Sequence, residues 1–475
     1  MKNLLSRYHP RYVRSLVYMM QASEYHIRDF LRWFWRTRDF LRVEQRKSLV
    51  KTPKSLLFLI AGYAVLFFLY VFAFGMLVVA EESWKYPAFL LTAFVAPYLL
   101  VDFFIGLMVL SRIVQIPVEY GILVHAKRKL KAHKGFRIAI AGSFGKTSMR
   151  EILKTVLGAG KRVAAPPGSY NTPLGISSFI RSLGGDEEIL VFELGEYYPG
   201  DIRRLCKLVA PDIGIITGVN EAHLAKFGSI GETRKTIFEL AGYFRDRPLY
   251  INGENILART YARTGDILYS RAGAGEWRVE DAKASLKGTL FMLRNGPQRI
   301  QAESHLLGLH QVGPLSVAAD IACKLGISTE RIGLGIQRTK PFEHRLEPKT
   351  DTAGVITLDD SYNGNPDGVR AVLEFLSSLK NVRRWYLTPG LVEMGAKKEE
   401  VHMDIGRELA RAHIDKVVLI RNSVTPLIEK GLQEENYKGE IMWFDRALDA
   451  FAALPNLTVK GDVVVLQNDW PDQYA

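Results

Sequence analysis

Residues 136–155, FRIAIAGSFGKTSMREILKT, confine the local chain path more tightly than any other stretch. Ile138, Ala139, Ile140 and Ala141 form a continuous apolar run, the pattern of a strand in a parallel sheet covered on both faces. Gly142 and Gly145 then permit a sharp turn that brings backbone N–H groups close to an anion. Lys146 adds a point charge, Thr147 a hydroxyl that can reach a magnesium ion, and the following helix its positive N-terminus. Together these residues predict a phosphate cradle of the short form G-x-x-G-K-T. Ile140 stands where the longer G-x-x-x-x-G-K-[ST] spacing has its first glycine.

A second constraint comes from residues 56–80, which contain no charged side chain and are long enough to cross a hydrocarbon core of about 30 Å. A further span over roughly 88–110 follows the loop EESWKYP and carries only Asp102, an acid placed either against the partner helix or near an interface. Lys and Arg abound before the first span and after the second, whereas the loop has only Lys85, so a hairpin with both ends in the cytoplasm is expected. The formal charge of +13 lies mostly before residue 55 and at Lys127, Arg128, Lys129, Lys131, Lys134 and Arg137. Because both clusters flank the most apolar part of the chain, they read as membrane-surface charge and argue against nucleic acid. Within residues 1–54, Arg28, Arg32, Arg36, Arg42, Arg46 and Lys47 interleave with Phe30, Leu31, Trp33, Phe34, Trp35, Phe40 and Leu41. That mixture suits a helix in the headgroup layer with its rings down; the other reading is a helix packed on the rest of the protein. No small-residue cleavage site follows, so no signal peptide is expected. Cys206 and Cys323 give no disulfide framework and suggest a reducing compartment.

From 136 to about 340 apolar strands alternate with helical patterns, as in a parallel α/β sheet. ILVFEL at 189–194 and IGIIT at 213–217 each end at polar residues, and ligands of open α/β sheets collect beyond such strand ends. Glu193 at one end and His223 shortly after another could ligate a metal beside the phosphate loop. Beyond a junction near Lys340-Pro341, a third unit has strands at 355–360, 384–390, 416–420 and 462–467, without a second phosphate loop. The expected division is a basic amphipathic segment (1–54), a transmembrane hairpin (55–112), a basic linker (113–135), a central nucleotide-binding domain (136–340) and a C-terminal domain (341–475).

GSFGKTS (142–148), NTPLGIS (171–177), FELGEYYPGDI (192–202), PDIGIITGVNEAHLAKFGS (211–229), LLGLH (306–310), EHR (343–345), DDSYNGNPDGVR (359–370) and EMG (393–395) follow one another in this order. Over residues 136–470 the chain thereby resembles the ATP-dependent Mur ligases of cell-wall synthesis, most closely the MurF type that joins D-alanyl-D-alanine to a muramoyl tripeptide. The resemblance implies an α/β fold: a central P-loop domain and a C-terminal Rossmann-like domain, here preceded by the two-helix hairpin. It also implies a reaction, in which a carboxylate attacks the γ-phosphate of ATP and the resulting acyl phosphate yields an amide with an incoming amino-acid or dipeptide amine. By motif match, Gly142, Ser143, Gly145, Lys146, Thr147 and Ser148 cradle the phosphates, and Lys146 holds the β- and γ-phosphates. Thr147, Glu193 and His223 hold Mg2+, and Arg345 reaches the phosphates from the C-terminal domain. His310 lies by the adenine, Asp360 accepts the ribose hydroxyls, and Asn363 and Asn365 shape the nucleotide or amine site. Hinge motion near residue 340 is expected.

Three departures accompany the resemblance. The family's carbamylated lysine, which helps bind a second magnesium, aligns with Ile237, leaving Lys235 or Glu239 as substitutes from another helix face. The family's G-x-H-N-x-x-N pattern keeps His310 but has Gln311 and Pro314, which alters base recognition. The domain that grips a soluble uridine nucleotide is replaced by a membrane hairpin, so the expected acceptor is a muramoyl peptide linked either to lipid or to UDP. Amide ligation at the inner membrane is the leading expectation, with membrane lipid and cell-wall synthesis proteins as partners. A subunit that activates a carboxylate for a glutaminase partner, or a non-catalytic scaffold, are the alternatives. Tyr197, Tyr198 and Tyr362 read as packing or loop residues, Glu393 as a residue that orients its loop, and His125, His133 and His402 as residues without chemistry.

Overall fold

The computed structural model describes residues 4–43, 48–168, 170–222, 224–362 and 364–467. The chain divides into two compact units, Met1–Gly121 and Ile122–Ala475.

In the first unit, helix α1 (Tyr12–Ala22) and helix α2 (Ile27–Arg36) precede helix α3 (Pro53–Val79), and helix α4 begins at Lys85 and ends at Ala132. Helix α3 starts at a reciprocal cap: the Thr52 hydroxyl accepts the Ser55 N–H and the Ser55 hydroxyl accepts the Thr52 N–H, while Pro53 occupies a first-turn position that needs no donor. Helices α3 and α4 are both long and apolar enough to cross a membrane. Helix α4 runs on past Pro97 and Pro117 through most of the expected linker at 113–135. Asp102 is exposed; Leu100, Val101, Phe104 and Met108 supply the buried face of α4. The aromatic N-terminal stretch departs from the headgroup picture as well. Phe30, Phe34 and Phe40 are buried in one cluster with Tyr12, Leu16, Phe58 and Phe104, which leaves Trp35 exposed among Arg28, Arg32 and Arg36. The rings are covered by protein because α1 offers a continuous apolar face that they can bury against. Arg46 and Lys47 lie outside the described residues.

The second unit contains two sheets. The first has β1 (Phe136–Ala141), β2 (Val163–Ala164), β3 (Ile189–Glu193), β4 (Ile213–Ile216), β5 (Tyr250–Asn252) and β6 (Ile267–Ser270) in parallel, in the order β6-β5-β4-β1-β3-β2. Side chains of β1 alternate between two cores, Ile138 and Ile140 on one face and Ala139 and Ala141 on the other, so both faces are covered as the apolar run predicts. The sheet is not parallel throughout. Strands β7 (Gly273–Ala274), β8 (Trp277–Ser285), β9 (Gly288–Asn295) and β10 (Gln298–Ser304) extend it antiparallel beyond β6, because their two-residue connections are too short for a crossover.

The second sheet has the order β11-β12-β16-β13-β14-β15, built from β11 (Glu347–Thr350), β12 (Ile356–Asp360), β13 (Arg384–Thr388), β14 (Lys416–Ile420), β15 (Glu440–Phe444) and β16 (Val463–Gln467). All pairs are parallel except β11–β12. Part of the basic cluster before β1 is used inside this unit and does not face lipid. Lys129 Nζ donates to the carbonyls of Arg181 and Leu183 at 2.7 Å, Arg137 donates to those of Leu130 and His133, and His133 pairs with Glu187 at 3.0 Å.

Candidate active site

The carboxyl ends of β1, β3 and β4 meet where the phosphate loop turns into helix α5 (Lys146–Leu157). Gly145 sits at φ +73° and Gly142 at φ +145°, and a Cβ on Gly142 would collide with the Thr217 hydroxyl, so no side chain is tolerated there. The loop is pinned from the strand beside it: Ser143 N–H donates to the Gly218 carbonyl at 2.9 Å, and the Thr217 hydroxyl donates to the carbonyls of Ala141 and Phe144. A cradle held this firmly presents its N–H groups without needing the ligand to order them.

Two chambers open from this loop. The first is lined by Gly145, Ser148, Asn252, Tyr269, Arg271, His310, Gln311, Pro314 and, from the C-terminal domain, Arg345, Asp360 and Glu374. The second is lined by Ser143, Lys146, Thr147, Arg150, Asn171, Glu193, Glu196, Arg345, Tyr362 and Glu393. Gly145, Ser148, Phe144, Phe342, Arg345 and Asn365 border both, so the phosphate loop and Arg345 form the wall through which the chambers communicate. Arg345 lies over the Tyr362 ring at 5.1 Å, and its Nε has no hydrogen-bond partner among the described residues. Burial pulls its guanidinium below the ordinary value, and the nearby Asp360 carboxylate opposes that pull. A partly desolvated cation with an unengaged N–H at this junction is suited to an anion.

In the first chamber burial pushes Asp360 up to about 6, against the pull of Arg345, and the carboxylate accepts the Leu346 N–H at 3.2 Å. Burial, with the nearby Arg271 charge, pushes His310 down to about 4, so the ring is neutral at pH 7. Its Nε2 lies 2.8 Å from the Gln311 amide, so these two neighbouring side chains are joined. Asn365 has a structural duty: it caps helix Pro366–Ser378 by accepting the Gly368 N–H and also accepts from Asn220. His223 and Asn363 lie outside the described residues.

In the second chamber the Thr147 hydroxyl donates to Glu193 Oε2 at 3.1 Å, Arg150 Nη1 lies 3.1 Å from the same oxygen, and Lys146 Nζ donates to Glu196 Oε1 at 2.7 Å. Sequence reading missed Arg150, Glu196 and Asn220. A signal existed for Arg150, which follows Thr147 by one helical turn and so shares its face; Glu196 lies on an irregular loop, where spacing predicts nothing. Oxygen donors such as Thr147 and Glu193 fit a hard divalent cation that keeps several waters, so one magnesium ion suits the site. Among the described residues, the positions expected to help hold a second ion offer it no ligand. Ile237 is fully buried in the apolar core, Lys235 is exposed beside Glu232, and Glu239 accepts the N–H groups of Gly200 and Arg203.

Comparisons with known proteins agree with this architecture. Residues 140–322 match the family model of the Mur ligase middle domain, and residues 344–467 that of the Mur ligase, glutamate ligase domain. The chain belongs to the Mur ligase family. It is similar to the UDP-N-acetylmuramoyl-tripeptide–D-alanyl-D-alanine ligase of Mycobacterium tuberculosis, with 28% identity over 294 residues, 60% of this chain and 58% of the relative. The corresponding ligase of Bacillus subtilis is 26% identical over 340 residues, 70% of this chain and 72% of the relative. The chain therefore spans little more than half the length of the mycobacterial relative. The MurF ligase of Thermotoga maritima in complex with ADP shares the fold, at TM-score 0.65 and 22% identity over 74% of this chain and 80% of that one. Within the family, the chain is MurF-like.

Proposed function

We propose that this chain is a membrane-anchored, ATP-dependent amide ligase of cell-wall peptide synthesis, which adds D-alanyl-D-alanine or a similar amine to the carboxylate of a muramoyl peptide. The observation that carries this reading is the meeting of two chambers at one phosphate loop beneath Arg345, a geometry that brings two substrates to opposite sides of a transferable phosphoryl group. ATP occupies the first chamber, its base near His310 and Gln311, its ribose hydroxyls on Asp360, and its phosphates on Gly142, Ser143, Gly145, Lys146, Thr147 and Ser148. The acceptor carboxylate enters the second chamber, attacks the γ-phosphorus and leaves ADP and an acyl phosphate; the amine then displaces phosphate. Lys146 and Arg345 offset the charge that gathers on the phosphoryl oxygens. A magnesium ion held by Thr147 and Glu193, with His223, would supply Lewis-acid charge on the same oxygens.

Helices α3 and α4 anchor the enzyme in the inner membrane, with both termini and the catalytic domains in the cytoplasm. A lipid-linked muramoyl peptide is then the acceptor, because anchoring confines both partners to one surface and raises their effective concentration. The test is ADP release by the full chain in nanodiscs against lipid-linked and UDP-linked muramoyl peptides, with and without D-alanyl-D-alanine. Acceptor- and amine-dependent ADP that disappears in Lys146→Ala is expected, with the lipid-linked acceptor turned over faster. Equal or faster turnover of the soluble nucleotide form removes the lipid-linked part, and acceptor-independent or absent ADP removes the ligase.

A further inference from the structure

The reaction above leaves one proton unplaced. At neutral pH a primary α-amine is mostly an ammonium ion, which has no lone pair with which to attack an acyl phosphate. A group in the second chamber must therefore take its proton. Lys146, Arg150 and Arg345 are cations and cannot, and Glu193 is engaged by Thr147 and Arg150. His344 lines the same chamber beside Arg345, and imidazole is the side chain that exchanges a proton near neutrality.

The surroundings of His344 suit this task. Its Nδ1 lies 2.9 Å from Asp359 Oδ2, near the carboxyl end of β12. Asp359 is buried, which pushes its carboxyl up, but hydrogen bonds from Ser361, His344 and Lys349 outweigh burial and hold it below the ordinary value. An ionised carboxylate only accepts, so Nδ1 carries the hydrogen and Nε2 keeps its lone pair. The Glu343 carboxylate is 3.5 Å from Nε2 but largely in solvent, where such a contact holds the ring weakly. His344 also has a left-handed backbone, at φ +60°, as does Leu346 at φ +48°. Side chains adopt that conformation where their surroundings impose it, and here the one turn brings both His344 and Arg345 to the chamber wall.

We propose that His344, oriented by Asp359, is the proton acceptor for the incoming amine, an inference that rests on the ligase reading. Nε2 takes one proton from the ammonium ion, and the freed lone pair attacks the acyl carbon to form the C–N bond. The bond from that carbon to the phosphate oxygen then breaks, and phosphate leaves with a second proton from the adduct nitrogen, whose positive charge makes it acidic. The imidazolium, stabilised meanwhile by the Asp359 carboxylate, returns its proton to water.

The test compares two nucleophiles on the full chain in nanodiscs with ATP and the muramoyl-peptide acceptor. D-alanyl-D-alanine is an ammonium ion at neutral pH, whereas hydroxylamine is uncharged there and reports the acyl phosphate as a hydroxamate without needing a base. His344→Gln should lower kcat/KM for the dipeptide about 10- to 100-fold at pH 7, the lower bound being the loss expected when only the ~10% of free amine can react. Hydroxamate formation should stay within about threefold of the parent protein, since the first half of the reaction does not use this proton. His344→Asn should give the same split, and retained binding of a non-hydrolysable ATP analogue shows that each variant is folded. An equal loss with both nucleophiles, or no loss with the dipeptide, overturns the proposal and leaves the ligase standing. A parent protein that forms neither amide nor hydroxamate removes the ligase reading and this inference with it.

Discussion

Replacing Asn220 by alanine tests whether contact between the central and C-terminal domains builds the active site. Asn220 lies just past β4, and its Nδ2 donates to Asn365 Oδ1 at 2.9 Å and to Asp367 Oδ2 at 2.8 Å across the domain boundary. Burial raises the pKa of Asp367, and the hydrogen bond from Asn220 opposes that rise, so the amide supports the charged form. Asn220→Ala removes one neutral bond and one bond to a charged group, the latter contributing about 1.5–3 kcal/mol. The charged pairs across the same boundary are weak: Arg271–Glu374 is roughly half exposed and Lys397–Glu221 spans 3.8 Å, and such pairs contribute about 0–1 kcal/mol each. The closing equilibrium should fall roughly 10- to 150-fold. Distances between spin labels on the two domains of the full chain, with an ATP analogue bound, should shift to a longer population. KM for ATP and for the acceptor should rise while kcat falls, since opening separates Arg345 and Asp360 from the phosphate loop. Unchanged label distances together with kcat/KM within about twofold of the parent protein would refute the reasoning, because an energy of this size cannot disappear from a closure the reaction requires.

Asp360 predicts a pH dependence. Its folded value of about 6 lies above the ordinary 3.8, so the folded state binds the proton more tightly and this group's contribution to stability falls as pH rises between those values. Nucleotide affinity runs the other way, because the ionised carboxylate accepts the ribose hydroxyls. Titrations of an ATP analogue should weaken up to about tenfold per pH unit below about 6, and a slope that survives in Asp360→Asn would show another group at work. Arg150→Met leaves the buried Glu193 carboxylate without its guanidinium and should cost about 3–5 kcal/mol in denaturant unfolding. Millimolar magnesium with ATP should restore much of that loss, and no recovery would mean that Glu193 is not a cation ligand. Ile237→Lys, which places the family's residue in this chain, puts an ammonium into a closed apolar core at a cost of several kcal/mol. Its thermal unfolding should drop sharply without any bicarbonate-dependent gain in ADP formation, whereas such a gain would show that a second metal site can be rebuilt.

Much of this protein was legible in the order of its residues. The apolar run 138–141, the two glycines and the lysine–threonine pair specify strand, turn and helix through rules that act over a few residues; the run forms β1 in the sheet's core, and Gly145, Lys146 and Thr147 line the second chamber. Residues 56–80 likewise specify a long apolar helix, since length and hydropathy need no partner to be read. Where burial depended on distant segments the same reading failed. Phe30, Phe34 and Phe40 look like a membrane-facing set until α1 is seen to cover them, and Lys129 looks like surface charge until it is found between two carbonyls. His402 showed no chemistry by spacing, yet its buried Nε2 accepts the Leu391 N–H at 3.0 Å and steadies the turn beside Glu393.

The sequence by itself therefore determined the phosphate loop, the two long apolar helices and the succession of strands, because each is set by local backbone freedom or by a contiguous run of one polarity. Only the tertiary structure decided that Glu196 faces Lys146 across 50 residues and that Asn220 meets Asp367 across 147. Those pairings follow from where a sheet and its loops deliver each side chain, and charge balance in a desolvated cleft is a property of that arrangement, invisible to any window along the chain.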